Sequence, residues 1–308
     1  MRTALLHHPD SALHRMQAHH PECPQRLDAV LARLAESGLA EDLTRVLDAD
    51  AVTAEDVQRV HPAPYATRLA AMAPAEGLAI IDDDTYIGPG TLTAAARAAG
   101  IATRALDDLM AGHYARAFCA VRPPGHHAET ATPMGFCFYN SIAIAARRAL
   151  DVHGLERVAI LDFDVHHGNG TAEIFRDDPR VLFASSFEHP QYPNRMLDLP
   201  GEHLVFTPLA AGTGGAAFRR AIERDWLPAL ERHRPQLVLV SAGFDAHARD
   251  PLASLQLEVD DYRWITELIC SAAADHADGR VLSMLEGGYD LAALAASAEA
   301  HVRVLLEA

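Results

Sequence analysis

The chain has 308 residues, 49% of them hydrophobic, and its 42 acidic against 26 basic side chains give a formal net charge of −16. A field of that sign repels a phosphate backbone and favours cationic ligands, so direct nucleic-acid binding is not expected. No apolar run approaches the ~20 residues of a membrane-spanning helix, and the first residues lack the basic-then-apolar pattern of a secretory signal, so a soluble cytoplasmic protein is expected.

Thr3–Leu6 reads as a first strand, and Pro24–Glu36 as a helix with Leu27, Val30, Leu31 and Leu34 at helical spacing. Thr53-Ala-Glu-Asp56 resembles a capping box with aspartate as its acidic member. Ala94–Met110 is a long alanine-rich helix, Ala117–Val121 a strand and Tyr139–Leu150 a helix. Val158–Phe163, Val181–Ser185 and Leu204–Leu209 are strands, and Phe218–Glu231 is helical. Leu237–Ser241 is a buried strand, Asp260–Ala274 a helix capped by Ser/Asp chemistry nearby, Val281–Leu285 a strand and Leu291–Leu306 the closing helix. Apolar strands alternating with helices predict an α/β fold whose parallel sheet is covered on both faces. Without repeats, low-complexity linkers or a composition break, residues 1–308 read as one domain.

The unusual residues sit just after strands. Asp164 and His166, two apart on extended backbone, point the same way and offer an oxygen and a nitrogen to one cation. His126 and His127 are adjacent neutral bases in another such loop. In an open parallel sheet, ligands gather at the carboxyl ends of the strands. That rule brings together four segments: His126-His127, Asp162 to Asn169, Ala242 to Asp245, and Glu286-Gly-Gly-Tyr289. Asp245 then becomes the third ligand beside Asp164 and His166. One imidazole and two carboxylates suit zinc with an open position, and such an oxygen-rich set could also hold iron(II) or cobalt(II). Tyr289, on a glycine-rich turn, can reach in as a hydrogen-bond donor. These are the parts of metal-assisted hydrolysis.

Most other features take ordinary readings. Cys23, Cys119, Cys137 and Cys270 form no C-x-x-C pair and read as free thiols in a reducing compartment. His61 and His153 read as core or surface histidines, Val158–Leu161 and Leu237–Val240 as core strands, and Gly212–Gly215 as a loop. Asp82-Asp83-Asp84 is by default a solvated loop. Every basic residue is arginine and none is lysine, which with the abundant alanine suggests a bacterial source.

Six segments carry a specific resemblance: His-Pro-Glu-Cys-Pro-Gln-Arg-Leu (20–27), Arg-Pro-Pro-Gly-His-His-Ala (122–128), Gly-Phe-Cys-Phe-Tyr-Asn (135–140), Asp-Phe-Asp-Val-His-His-Gly-Asn-Gly-Thr (162–171), Ser-Ala-Gly-Phe-Asp-Ala (241–246) and Glu-Gly-Gly-Tyr (286–289). Together they closely resemble the zinc-dependent histone deacetylase superfamily, most of all its class II branch and bacterial relatives that include acetylpolyamine amidohydrolases. The resemblance implies a three-layer arginase/deacetylase-like fold with one parallel sheet of about eight strands. It implies Asp164, His166 and Asp245 as ligands of one zinc ion, and His127 as the general base that takes a proton from the attacking water and returns one to the leaving amine. His126, oriented by Asp162, would stabilise charge, and Asn169 would be the partner of His127. A neutral partner raises imidazole basicity less than a carboxylate does, so His127 is expected to have the lower pKa of the pair. Tyr289 would polarise the amide carbonyl and hold the oxyanion.

By the same resemblance, Gly135 and Phe136 match an acyl-tunnel wall faced by Tyr192, and the Asp82–Asp84 loop matches the substrate rim. A structural potassium ion would lie beneath the zinc site, held by Asp162, by backbone oxygens of Asp164 and His166, and by Ser186 and Phe187. A second alkali site would use carbonyls near Phe175, Asp178 and Val181. Leu252 stands where polyamine-selective relatives carry a gatekeeper glutamate, which favours acyl-lysine peptides over acetylpolyamines as substrates. A dimanganese arginase-like enzyme is disfavoured because His167-Gly168-Asn169 lacks the carboxylates for a second metal, and a non-enzymatic acyl-binding protein because ligands, base and tyrosine all survive. Nothing in these motifs opposes an oligomer.

Overall fold

Alternate residues of the central strands feed two different cores, and that alternation dictates the architecture. In the strand Val158–Asp162, Ala159 and Leu161 turn to one side of the sheet while Val158 and Ile160 turn to the other. Val238–Ala242 divides in the same way, with Val238 and Val240 opposite Leu239. Strands buried on both sides require helices on both. In the computed structural model, which describes residues 2–308, ten helices supply this cover.

The strands are β1 (Thr3–Leu6), β2 (Thr44–Val46), β3 (Ala79–Ile80), β4 (Tyr86–Ile87), β5 (Arg116–Cys119), β6 (Val158–Asp162), β7 (Val181–Glu188), β8 (Leu204–Leu209), β9 (Val238–Ala242) and β10 (Val281–Leu285). The helices are α1 (Gln25–Glu36), α2 (Leu39–Asp42), α3 (Ala54–Gln58), α4 (Ala63–Met72), α5 (Thr91–Met110), α6 (Ser141–Asp151), α7 (Asn169–Phe175), α8 (Gly215–His233), α9 (Val259–His276) and α10 (Leu291–Glu307). Eight strands form one parallel sheet in the order β2-β1-β5-β10-β9-β6-β7-β8. The remaining two, β3 and β4, make a small antiparallel hairpin that carries the Asp82–Asp84 loop. Apolar residues of α1, α8, α9 and α10 join one core, and those of α5, α6 and α7 the other.

Local chemistry explains where several elements begin. Asn140 caps α6 by accepting from the Ala143 N–H, and Asp290 caps α10 by accepting from the Ala293 N–H. Helix α9 differs from expectation. Its cap is Glu258, which accepts from the backbone of Asp261 while the Asp261 carboxylate accepts from the Glu258 N–H, a reciprocal box that fills two orphan groups without any serine. Helix α7 was not foreseen. Asn169 and Gly170 at its start are poor helix formers, but Ala172 and Phe175 are buried in the core and hold the turn in place.

Candidate active site

Four neighbouring strands, β5, β10, β9 and β6, release their loops at the same edge of the sheet. Asp162 ends β6, and the backbone that follows brings Asp164 and His166 together with Asp245 from the loop after β9. One ligand atom from each of the three lies within 4.8 Å of the others, and all three residues are buried. His166 Nδ1 stands 3.1 Å from Asp164 Oδ1 and 3.2 Å from Asp245 Oδ2. Backbone donors hold the carboxylates: Gly287 N–H donates to Asp164 Oδ2 at 2.8 Å, and Val165 N–H to Asp245 Oδ1 at 2.9 Å. The other Asp245 oxygen, Oδ2, is buried with no hydrogen-bond partner. A buried, unpartnered carboxylate oxygen facing an imidazole nitrogen and a second carboxylate costs free energy unless a cation meets it. The donor set therefore fits a metal ion. Among the described residues this is the one group of three or more His, Cys, Asp or Glu side chains so arranged.

The approach is tight enough to exclude side chains. A Cβ on Gly287 would lie 2.0 Å from Asp245 Oδ2 and 2.6 Å from Asp164 Oδ2, and one on Gly243 would lie 2.1 Å from Asp164 Oδ2. On the other wall, Gly135 has a φ of +55°, and a Cβ there would meet the His127 ring at 2.5 Å.

The two histidine rings lie with centroids 4.0 Å apart, tilted by 42°, but have different partners. His126 Nδ1 lies 2.9 Å from Asp162 Oδ2, and its Nε2 3.8 Å from Asp164 Oδ1. His127 Nδ1 lies 2.7 Å from Asn169 Oδ1. Burial opposes charge on both rings. For His126 the carboxylates of Asp162 and Asp164 outweigh it and hold the pKa well above the ordinary histidine value. For His127 burial acts together with the charges of His126 and His166, and the pKa lies well below that value. The two neighbouring rings are thus pushed in opposite directions.

A cavity of about 150 Å³ descends to this cluster and is lined by Asp84, His127, Gly135, Phe136, His166, Gln191, Tyr192, Leu252 and Tyr289. All four expected tunnel residues are among them. The Tyr192 ring stands 5.2 Å from that of His127, and the Phe136 ring 6.0 Å from that of Tyr289. A larger hollow of about 510 Å³ between Arg2, His113 and Arg280 shares none of these residues.

Comparison with known proteins agrees with this geometry. The family profile described as histone deacetylase domain matches residues 20–305. The chain belongs to the histone deacetylase family. It is 43% identical over 282 residues to the histone deacetylase-like amidohydrolase of Pseudomonas aeruginosa, covering 88% of this chain and 73% of that protein. Against a probable deacetylase of Archaeoglobus fulgidus it is 37% identical, covering 94% and 82%. Against the human polyamine deacetylase HDAC10 it is 36% identical, covering 99% of this chain and 48% of that protein. The crystal structure of the HDA15 HD domain superposes with a TM-score of 0.92 at 33% identity, covering 99% of this chain and 88% of that one. The fold is thus the arginase/deacetylase fold, and the deacetylase is an amide hydrolase.

Sequence reading assigned no role to the buried charges under this deacetylase site. Arg122, from the loop after β5, donates to both oxygens of Glu22 at 2.5 and 2.6 Å. Arg26 donates to Glu22 at 3.2 Å and to the carbonyls of Glu286 and Gly288 at 2.5 and 2.6 Å, with its guanidinium 4.8 Å from the centre of the Tyr289 ring. The Glu286 carboxylate accepts from the N–H groups of Gly125 and His126 at 2.7 and 3.2 Å. Burial disfavours the charge of Glu22, but Arg122 and His14 outweigh it and hold its pKa well below the carboxylate range. These contacts tie the histidine loop to the tyrosine loop.

Proposed function

We propose that this deacetylase is zinc-dependent and removes acetyl or related acyl groups from lysine side chains or similar amines, with residues 1–308 acting as one catalytic domain. The observation that carries the reading is the buried Asp164–His166–Asp245 cluster, with an unpartnered oxygen, at the foot of a narrow cavity. A zinc ion would be held by these three residues and would supply Lewis-acid polarisation of the amide carbonyl and acidification of the attacking water. His127 faces the cavity as a neutral imidazole and is the group that accepts the water's proton and returns one to the departing amine. His126, oriented by Asp162 through Nδ1, is the group that stabilises negative charge developing beside it. Tyr289, half-buried in the cavity wall, would donate its hydroxyl to the oxyanion; burial raises its pKa well above the ordinary tyrosine value, so it remains a donor.

Phe136, Gly135, Tyr192 and Leu252 form the passage for the methylene stem of an acyl-lysine. The potassium expected at Asp162, Asp164, His166, Ser186 and Phe187 belongs to the same proposal, supported by Asp162 standing in register with Ser185, immediately before that pair on β7. A cytoplasmic location belongs to the same proposal.

Acetylpolyamines are the second reading, favoured by Asp84 at the cavity mouth. The deciding measurement is kcat/KM across acetyl-lysine peptides, longer acyl-lysines and acetylpolyamines, with metal content alongside. Asp245→Ala should lose zinc and activity together. Full zinc binding by that variant, or two transition metals per wild-type chain, would overturn the ligand assignment.

A further inference from the structure

Beyond Asn169, the hydrogen bonds behind His127 continue outward to a buried carboxylate and an exposed arginine. The Asn169 Nδ2 group has three neighbours: Glu129 Oε1 at 2.8 Å, the His127 carbonyl at 3.4 Å and Met134 Sδ at 3.4 Å. All three can only accept. Turning the amide over would set its oxygen against the Glu129 carboxylate, so Nδ2 must face Glu129 and Oδ1 must face His127. His127 Nδ1, 2.7 Å from that oxygen, is therefore the protonated nitrogen, and the lone pair is on Nε2, the other ring nitrogen of a residue that lines the cavity. Glu129 is buried, and Arg195 grips both of its oxygens, with Nε 3.0 Å from Oε1 and Nη2 3.1 Å from Oε2. Arg195 is three residues beyond Tyr192, whose ring stands edge-on to His127.

We propose that Glu129 is a positioning residue for His127: its carboxylate locks the Asn169 amide, and the amide in turn fixes the histidine tautomer that can accept a proton on Nε2. Arg195 neutralises the buried carboxylate and couples this chain of contacts to the loop that carries Tyr192. The inference rests on His127 being the general base. Its physical logic is that a partner of a catalytic imidazole must present an acceptor and nothing else, and a neutral amide does so only when something outside it prevents the flip. An aspartate in place of Asn169 would need no such lock and would be repelled by Glu129.

The test uses the zinc-loaded full chain with an acetyl-lysine peptide and its trifluoroacetyl counterpart, whose activated carbonyl demands less of the base. Glu129→Gln removes the charge at constant shape. It should keep zinc and KM while kcat on the acetyl peptide falls roughly 10–100-fold, the scale for outer partners of catalytic groups. The loss on the trifluoroacetyl peptide should be clearly smaller. Asn169→Asp alone should be strongly impaired, and adding Glu129→Gln should restore at least about tenfold of that loss, since the opposed carboxylates are gone. A misfolding artefact does not produce rescue by a second substitution. Equal kcat for Glu129→Gln and wild type, or an Asn169→Asp defect indifferent to residue 129, overturns the proposal. His127→Ala in the same assay separates the two levels: if it stays active, the reading of the base fails, whereas if it is dead while Glu129→Gln is unimpaired, only the role of Glu129 fails.

Discussion

Replacing Gly287 by alanine should empty the metal site without touching a ligand. The added methyl would lie 2.0 Å from Asp245 Oδ2 and 2.6 Å from Asp164 Oδ2, against the 3.4 Å or more of ordinary contact. Neither carboxylate is free to yield. Asp164 Oδ2 accepts the Gly287 N–H itself at 2.8 Å, and Asp245 is anchored through Oδ1 by the Val165 N–H at 2.9 Å. At least one ligand oxygen must retreat by ~1 Å, a misplacement that typically costs ~10²-fold in rate, and zinc affinity should fall with it. The assay is zinc per chain by elemental analysis together with kcat on an acetyl-lysine reporter, with Gly214→Ala as control because a Cβ there meets only the Gln256 carbonyl at 3.7 Å. One tightly held zinc per chain in Gly287→Ala, with near-wild-type kcat, would refute the argument that this glycine exists to let two ligands converge.

Tyr289→Phe should lower kcat by roughly 10²–10³, the loss of an oxyanion donor, with metal content intact; His127→Ala should be at least as damaging, and near-wild-type kcat in either variant refutes its role. Leu252→Glu places a carboxylate in the cavity wall and should move the substrate ratio toward acetylpolyamines by ~1–3 kcal/mol, read as relative kcat/KM for acetyl-lysine peptide and acetylspermidine; an unchanged ratio removes Leu252 from the specificity argument. His61 should make the fold acid-sensitive. Its Nε2 accepts the Asn140 N–H at 2.9 Å and its Nδ1 faces the Thr130 carbonyl at 3.2 Å, so the neutral ring is satisfied, and burial lowers its pKa to about 4. With the folded value below the unfolded one, its contribution is complete above the ordinary histidine pKa and is lost as pH falls from there toward about 4, reaching ~2 kcal/mol by about pH 5. Urea unfolding at neutral and mildly acid pH should show a smaller acid loss in His61→Gln than in wild type, and equal losses would exclude His61 as a cause.

Much of this protein is legible in one dimension. Apolar runs such as Val158–Leu161, buried on both faces, announce a parallel sheet between helices because strand periodicity and burial are local properties of the chain. Asp164 and His166 announce a cation site because two residues apart on an extended backbone is a fixed geometry. The sequence order of the loops, read with the rule that ligands collect at strand ends, also delivers Asp245 and Tyr289. Other decisions belong to the tertiary structure alone. Helix α7 exists because Ala172 and Phe175 find a core, against the propensity of its first residues. Arg122 is buried against Glu22 and its near neighbour Arg26 although 100 residues separate it from Glu22, and a charge is tolerated inside only where the fold brings its partner to it. Glu129 meets Asn169 across 40 residues and Arg195 across 66, distances along the chain over which no periodicity carries information. The sequence by itself determined which chemistry is present, because side-chain types and local spacing suffice for that. Only the fold decided which nitrogen of His127 bears the proton, because that depends on contacts among Glu129, Asn169 and Arg195, which come from three separate segments.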